Sequence, residues 1–117
     1  MLSYQHLYHA GNLADVQKHA VLAWVLDYLT RKDKPLTYIE THAGRGVYDL
    51  SADEAVKTGE AAAGIALAER LFPADHPYRQ RLDEARAGYG SQAYPGSPLI
   101  AALGLRGDHA HVHVHRR

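Results

Sequence analysis

The sequence has no cysteine, no surplus of either charge and no long apolar run. Without cysteine, a disulfide framework, a thiolate zinc site and a thiol nucleophile are all excluded. No apolar run reaches the roughly 20 residues that would span a bilayer, and the N-terminal residues lack the pattern of a secretory signal. We therefore expect a cytoplasmic protein without a membrane partner. Because 13 basic residues balance 13 acidic ones, nucleic acid would have to be bound by a local site rather than an overall basic field.

Apolar aromatic residues are scarce, whereas polar rings are abundant. The 117 residues include one Phe and one Trp, against eight Tyr and nine His. Tyrosine and histidine rings can stack and form hydrogen bonds at the same time, so this balance suits a polar site more than a core. The apolar fraction of 46% and charged fraction of 22% are otherwise typical of one modest globular domain.

A buried helix and a short strand are predicted in the first third of the chain. Asn12 is a good helix N-cap, and Asp15 stands where a capping carboxylate belongs. The segment from Val16 to Leu29 is apolar on most sides, which predicts a helix buried on most sides. Pro35 prevents its continuation, and the β-branched and aromatic content of residues 36–40 predicts a strand.

Helices and one further strand are predicted in the remainder. Helical stretches are expected from residue 58 to the prolines Pro73 and Pro77, and again over 78–87. A compact turn over 94–98 opens a short helix over 99–105, and residues 109–115 alternate like a strand. The order helix, strand, helices, strand predicts an α/β fold with a parallel sheet. Two strands are fewer than a complete doubly wound domain needs.

The sequence ETHAGRG at residues 40–46 is the strongest candidate site. It places an acid at the end of the strand and two glycines in the loop that follows. Glycine lets the backbone approach a ligand closely, as in nucleotide-binding loops. The spacing fits neither the dinucleotide fingerprint nor a P-loop, but it matches the first strand of Rossmann-like methyltransferases. An ordinary glycine turn is the alternative interpretation.

Three other segments have structural interpretations beside the functional ones. Lys18 and His19 lie one turn into the first helix, where a lysine stem and an interface histidine also fit. Ser97 is a candidate N-cap with Pro98 at the first helical position, and no nucleophile elbow surrounds it. Alternate imidazoles on the last strand form either a metal site or a solvated strand end; they are His109, His111, His113 and His115.

Taken together, four segments make the chain resemble the RlmJ family, AdoMet-dependent adenine-N6 methyltransferases of 23S rRNA (AdoMet is S-adenosylmethionine). The segments are MLSYQHLYHAGNLADVQKH, KDKPLTYIETHAGRGVYDL, KTGE and YPGSPLIAALGLR. The resemblance implies the N-terminal part of a Rossmann-like methyltransferase fold, with a helical insertion after the first strand. One incomplete domain over 1–117 is expected, with 1–50 up to the glycine loop, 51–92 as the insertion and 93–117 as a helix and second strand.

The resemblance also implies site residues. Contacts to AdoMet are expected from His19, His42, Ser97, Gly44, Gly46 and Glu40. Contacts to the substrate 23S rRNA are expected from Tyr4, His6 and Lys18. No metal is expected, and the protein is expected to act as a monomer.

One departure from the family's pattern concerns catalysis. Adenine-N6 methyltransferases carry an Asp/Asn-Pro-Pro-aromatic motif, and this sequence contains no Pro-Pro pair. We therefore expect a truncated form with no catalytic residue of its own and little or no activity. The alternatives are a small metal-binding protein that uses the histidine strand and a non-catalytic RNA-binding remnant.

Overall fold

The first helix follows the predicted cap. The computed structural model describes residues 9–32, 34–52, 56, 59–105 and 110–116, with the backbone alone at 42–43, 62 and 110–116. Helix α1 spans Leu13–Thr30, and the Asn12 side chain accepts a hydrogen bond from the Asp15 amide at 2.8 Å. Asp15 in turn accepts from the Gly11 amide at 3.1 Å. The capping prediction is confirmed, and the two side chains fix the point at which α1 begins.

The predicted parallel pairing is confirmed for the two long strands. Strand β1 spans Leu36–Ala43, and the last strand of the chain, β4, spans Ala110–Arg116. They pair in parallel, with Leu36 opposite Ala110 and a shift in register between Glu40 and Ala43. Strand β1 continues three residues past its predicted end, so Thr41, His42 and Ala43 belong to the strand and the loop is shorter than expected.

A second, antiparallel pair is present that the sequence does not predict. Strand β2 spans Val47–Asp49 and strand β3 spans Ala93–Pro95, with Tyr48 opposite Tyr94. Each is three residues long, too short for a period of two to be recognised. The pairing brings the residues after the glycine loop against the segment that precedes the last helix.

The described helices between β2 and β4 are separated by segments that contain glycine or proline, and all but one have eight residues or fewer. Helix α2 spans Glu60–Ala63, α3 spans Ile65–Ala68 and continues into a 3₁₀ turn at Glu69–Leu71. Helix α4 spans Pro77–Tyr89 and α5 spans Ser97–Gly104. Pro77 is the first residue of α4. The backbone N–H at this position has no partner within a helix, so proline loses no hydrogen bond there.

The core lies where α1, α4 and α5 pack together. Its fully buried side chains include Tyr78, Leu82, Tyr94 and Ile100. Within the described residues α1 packs mainly against α4 and α5 and less extensively against α2 and α3, and much of its apolar surface stays exposed. The expectation that α1 is buried on most sides is therefore wrong for this part of the protein. Its exposed apolar side chains are Leu13, Val21, Trp24, Val25, Tyr28 and Leu29.

Candidate functional site

The predicted strand-end acid is bonded to the predicted serine. Ser97, the first residue of α5, donates its hydroxyl hydrogen to Oε1 of Glu40 at 2.5 Å. Oε2 of Glu40 is buried and has no hydrogen-bond partner among the described residues. Buried carboxylate oxygens are nearly always hydrogen-bonded. This oxygen is therefore an acceptor with unused hydrogen-bonding capacity in the described structure.

Ser97 does not cap α5, contrary to the sequence prediction. The cap residue is Gly96, which makes no side-chain capping bond, and Pro98 is the second helical residue rather than the first. The serine hydroxyl is directed instead to the Glu40 carboxylate, a charged acceptor that binds a hydroxyl more strongly than a neutral amide can. Ser97 thus belongs to the same cluster as Glu40.

The Glu40 carboxylate also affects its neighbour on the strand. Tyr38 lies two residues earlier, and its pKa is raised first by burial, then by the Glu40 charge and by a hydrogen bond to the Glu40 carboxylate. The tyrosine therefore stays protonated at neutral pH. The end of β1 is therefore partly buried and carries the negative charge of the Glu40 carboxylate.

The glycine loop is packed against the segment before α5. The Gly96 amide donates to the Gly46 carbonyl at 2.8 Å, and a Cβ on Gly96 would collide with the Arg45 carbonyl oxygen. A Cβ on Gly44 would likewise collide with the Tyr48 hydroxyl, which accepts from the Arg45 amide at 3.0 Å.

Neither loop glycine uses a left-handed conformation. Among the described residues, positive φ is confined to Gly11, Gly59 and Gly90. Gly44 is explained by the close approach of Tyr48, whereas a Cβ on Gly46 would meet no atom within 4 Å. Gly46 therefore borders open space at the end of β1, next to the carbonyl that holds Gly96.

His19 is buried in a hydrogen-bonded chain of rings. Its Nδ1 lies 2.8 Å from the Tyr94 hydroxyl, and the Tyr78 hydroxyl donates to that of Tyr94 at 3.1 Å. Only 2% of His19 is exposed. Burial is the main cause that raises the pKa of both tyrosines. Both phenols therefore keep their protons at neutral pH and can donate them.

The YPGSP segment joins the two halves of the site. Tyr94 contacts His19 of α1, and Ser97 contacts Glu40 of β1. Between them, Gly96 is bonded to the glycine loop. One short segment thus brings together three elements that are far apart in the sequence.

The start of α1 is braced by the residue that closes the KTGE motif. Glu60 accepts from the Asn12 side chain at 3.2 Å and pairs with His9 at 2.6 Å. The family resemblance implies that Lys18 contacts RNA. Its side chain is 63% exposed, and its Nζ lies 3.7 Å from Oδ1 of Asp15. It is on the surface of the same turn as His19.

The side chains of three predicted site residues lie outside the part of the protein that the structure describes. The backbone of His42 belongs to β1, but its side chain lies outside the description, and Tyr4 and His6 lie outside the described residues altogether. Their roles stay predictions. The side chains of the histidine strand are likewise outside the description. Within the described part of the chain, no group of three or more potential ligands could hold a metal ion.

Sequence reasoning missed Tyr48, Tyr78 and Tyr94 as residues of the site. Their signal was the excess of tyrosine over phenylalanine, which indicates buried rings with hydrogen-bonding tasks. The pattern gave no way to tell which of the eight tyrosines they were. Their positions follow from the pairing of β2 with β3 and from the packing of α4 against α1.

Comparison with known proteins identifies the family. A family model described as ribosomal RNA large subunit methyltransferase D, RlmJ, matches residues 33–115. The chain belongs to the RlmJ family. The resemblance inferred from the four sequence segments is thereby confirmed.

Relatives in the RlmJ family are substantially longer than this chain. Two proteins named ribosomal RNA large subunit methyltransferase J, from Escherichia coli and Haemophilus influenzae, are each 45% identical to it. Each match covers 91% of this chain and 39% of the relative. A crystal structure of protein LPL1258 from Legionella pneumophila is similar with a TM-score of 0.69 and 36% identity, again over 91% of this chain and 39% of that one. The chain therefore spans about two fifths of these proteins.

Proposed function

We propose that this chain forms the AdoMet-binding part of a methyltransferase that modifies N6 of an adenine in 23S rRNA, within a Rossmann-like fold. Membership in the RlmJ family supports an rRNA methyltransferase. The adenine, the 23S substrate and the fold are extended from the resemblance of the sequence segments. Ribosomal RNA as substrate implies action in the cytoplasm. No described helix is long and apolar enough to cross a membrane.

The observation that carries the proposal is the unpartnered, buried Oε2 of Glu40. The amino-acid end of AdoMet carries an ammonium group, which is the kind of donor that a buried carboxylate oxygen lacks here. Ser97 occupies the other oxygen and fixes the carboxylate. A Cβ on Gly46 would meet no atom within 4 Å, so the loop is open on that side. A carboxylate with unused capacity and an open glycine loop after the same strand are the features that support AdoMet as the ligand.

Bound AdoMet supplies an electrophilic methyl group. The residues of this chain would bind and orient it: Glu40 and Ser97 at the ammonium, and the loop from Gly44 to Gly46 beneath the methionine part. Alignment with the attacking nitrogen and exclusion of water are the main requirements of such a transfer. In this proposal Tyr4, His6 and Lys18 hold the RNA, with Tyr4 stacking on the extruded adenine.

Binding of S-adenosylhomocysteine to Glu40 variants tests the cofactor site. Thermal unfolding and calorimetry should detect binding to the purified chain. Glu40→Gln should weaken it by about tenfold or more, because a hydrogen bond to a charged group contributes about 1.5–3 kcal/mol. The control Asp83→Asn alters an acid on α4 whose side chain is 58% exposed and should leave the affinity unchanged. Absence of binding at millimolar ligand, or unaltered affinity of Glu40→Gln, would contradict the proposal.

A methyl-transfer assay tests the assignment of catalysis. The 117-residue chain has no Pro-Pro pair and hence no Asp-Pro-Pro-aromatic motif. We expect little or no transfer of tritiated methyl to unmodified 23S rRNA by this chain alone. Robust transfer would mean that its own residues complete the active site.

A further inference from the structure

Glu60 of helix α2 holds the segment that leads into α1, residues 9–12. Its Oε1 accepts from Nδ2 of Asn12 at 3.2 Å, and its Oε2 lies 2.6 Å from Nδ1 of His9. One carboxylate thereby joins side chains that are 48 and 51 positions away in the sequence. The capping bond of α1 runs between Asn12 and Asp15 and does not include Glu60. Capping alone therefore does not account for the contacts of Glu60.

The backbone of the same segment is held by the start of α3. The Ile65 amide donates to the Gly11 carbonyl at 2.8 Å. A Cβ on Gly64 would collide with that carbonyl oxygen, so this close approach requires glycine. Gly11 has a φ of 78°, and a Cβ there would come within 3.1 Å of the Ile65 side chain. Residues 9–12 are therefore fixed against α2 and α3 through both backbone and side chains.

The Glu60 carboxylate also determines how the Asn12 amide is turned. An ionised carboxylate only accepts hydrogen bonds, so the side-chain nitrogen of Asn12 has to face it. The side-chain oxygen of Asn12 is then turned to the Asp15 amide, 2.8 Å away. Asp15 accepts in turn from the Gly11 amide at 3.1 Å. Of the two orientations of the Asn12 amide, Glu60 thus selects the one that caps α1.

We propose that Glu60 is a positioning residue for RNA binding, because it fixes the segment that lies between the proposed RNA contacts. This rests on the proposed function. Tyr4 and His6 precede residues 9–12 in the sequence, and Lys18 follows in the second turn of α1, with a side chain that is 63% exposed. A shift of residues 9–12 changes where the first two contacts are attached relative to Lys18. A single RNA would then no longer meet all three side chains.

Nuclear magnetic resonance of the labelled chain tests the contact without RNA. The Asn12→Asp spectrum identifies the side-chain amide signals of Asn12 by their loss. We expect nuclear Overhauser contacts between these amide protons and the Glu60 methylene protons, since Nδ2 and Oε1 are 3.2 Å apart. In Glu60→Ala, the Asn12 side-chain amide and the Ile65 backbone amide should exchange faster with solvent. Absence of the Overhauser contacts in the unaltered chain, or unchanged exchange in a folded Glu60→Ala variant, would overturn the inference.

Affinity for unmodified 23S rRNA tests the role in positioning. Glu60→Ala removes an acid, and the loss of a negative charge by itself favours RNA binding. We expect the opposite sign, with binding at a fixed salt concentration weakened by about two- to tenfold, the range for one hydrogen bond. Glu60→Gln keeps an oxygen acceptor for Asn12 and should restore most of the affinity. The matched control Glu69→Gln also removes an acid and breaks a contact, that with Arg86 of α4, but should bind RNA no less tightly than the unaltered chain.

Several RNA-binding results would contradict positioning by Glu60. One is a Glu60→Ala variant that binds as tightly as the unaltered chain, and another is a Glu60→Gln variant as weak as Glu60→Ala. Equal weakening by Glu69→Gln would mean that lost stability alone accounts for the effect. Losses that add in the Tyr4→Ala, Glu60→Ala double variant would also contradict it, because a positioning residue contributes less once the group it positions is gone. If the unaltered chain does not bind 23S rRNA, the proposed function and the RNA role fail together, whereas the resonance experiment still decides whether Glu60 holds residues 9–12.

Discussion

Substitution of Gly96 by alanine tests whether the glycine loop and the YPGSP segment are held together by close approach. A Cβ at this position would collide with the Arg45 carbonyl oxygen and come within 3.2 Å of the Tyr48 ring. The carbonyl belongs to the backbone, so it cannot swing aside as the end of a flexible side chain would. Either the loop or the segment has to move.

The expected loss of stability has two parts. Insertion of a methyl group into a closely packed site destabilises by about 1–3 kcal/mol. Movement of the segment also weakens the bond from the Gly96 amide to the Gly46 carbonyl, 2.8 Å long, and such a bond contributes about 0.5–1.5 kcal/mol. We expect Gly96→Ala to destabilise the chain by about 1.5–4.5 kcal/mol, or about 6–18 °C in Tm for a domain of this size.

The matched control is Gly88→Ala in helix α4. A Cβ at Gly88 would meet no atom within 4 Å, and alanine is favoured over glycine within a helix by up to about 1 kcal/mol. Urea and thermal unfolding followed by circular dichroism should show opposite signs for the two variants. If Gly96→Ala is as stable as the unaltered chain, the loop has room to move and close approach does not explain the glycine.

Two further substitutions test the elements around the site. Glu69 accepts two bonds of 2.6 Å from Arg86, and Arg86 holds the pKa of that carboxyl below its ordinary value; the stabilisation should therefore be present at pH 7 and be lost as the pH falls through the lowered pKa. Glu69→Gln should lower the free energy of unfolding by about 1 kcal/mol at pH 7, after allowance for solvent screening. At a pH low enough to protonate the Glu69 carboxyl, the substitution should have no effect. Urea titrations that show an equal loss at the two pH values would refute this. Asn12→Ala should cost about 1 kcal/mol through loss of the cap of α1, whereas Asn12→Asp should retain the cap; equal stability of Asn12→Ala and the unaltered chain would contradict the assigned cap.

Elements with a strong local pattern could be predicted from the sequence. Asn12 and Asp15 mark the start of α1 because the capping bonds are made within one turn. The two long strands are recognisable by their β-branched and alternating residues, and their parallel pairing follows from the helices between them. The cap and the two strands depend on residues close together in the chain, and the pairing of the strands follows from the order of the elements.

Contacts between distant residues that no order of elements implies could not be predicted. No local sequence pattern at Val47–Asp49 or Ala93–Pro95 indicates that the two segments pair. Ser97 has the local pattern of an N-cap, yet its hydroxyl goes to Glu40, which is 57 positions away. A charged partner brought in by the fold outweighs the local capping preference, and sequence spacing does not contain that information.

Glycine and tyrosine contribute to the site in different ways. Gly44 and Gly96 are adjacent to Tyr48, and each leaves out a Cβ that the tyrosine or the loop backbone would meet. Tyr94 contributes a hydroxyl group: its oxygen is hydrogen-bonded both to the Tyr78 hydroxyl and to Nδ1 of His19. The side chains that form the site are therefore fixed by close contacts and hydrogen bonds. Oε2 of Glu40 is the atom of the site without a hydrogen-bond partner among the described residues. The unused capacity of this oxygen favours a ligand site at the end of β1 over one on the exposed face of α1.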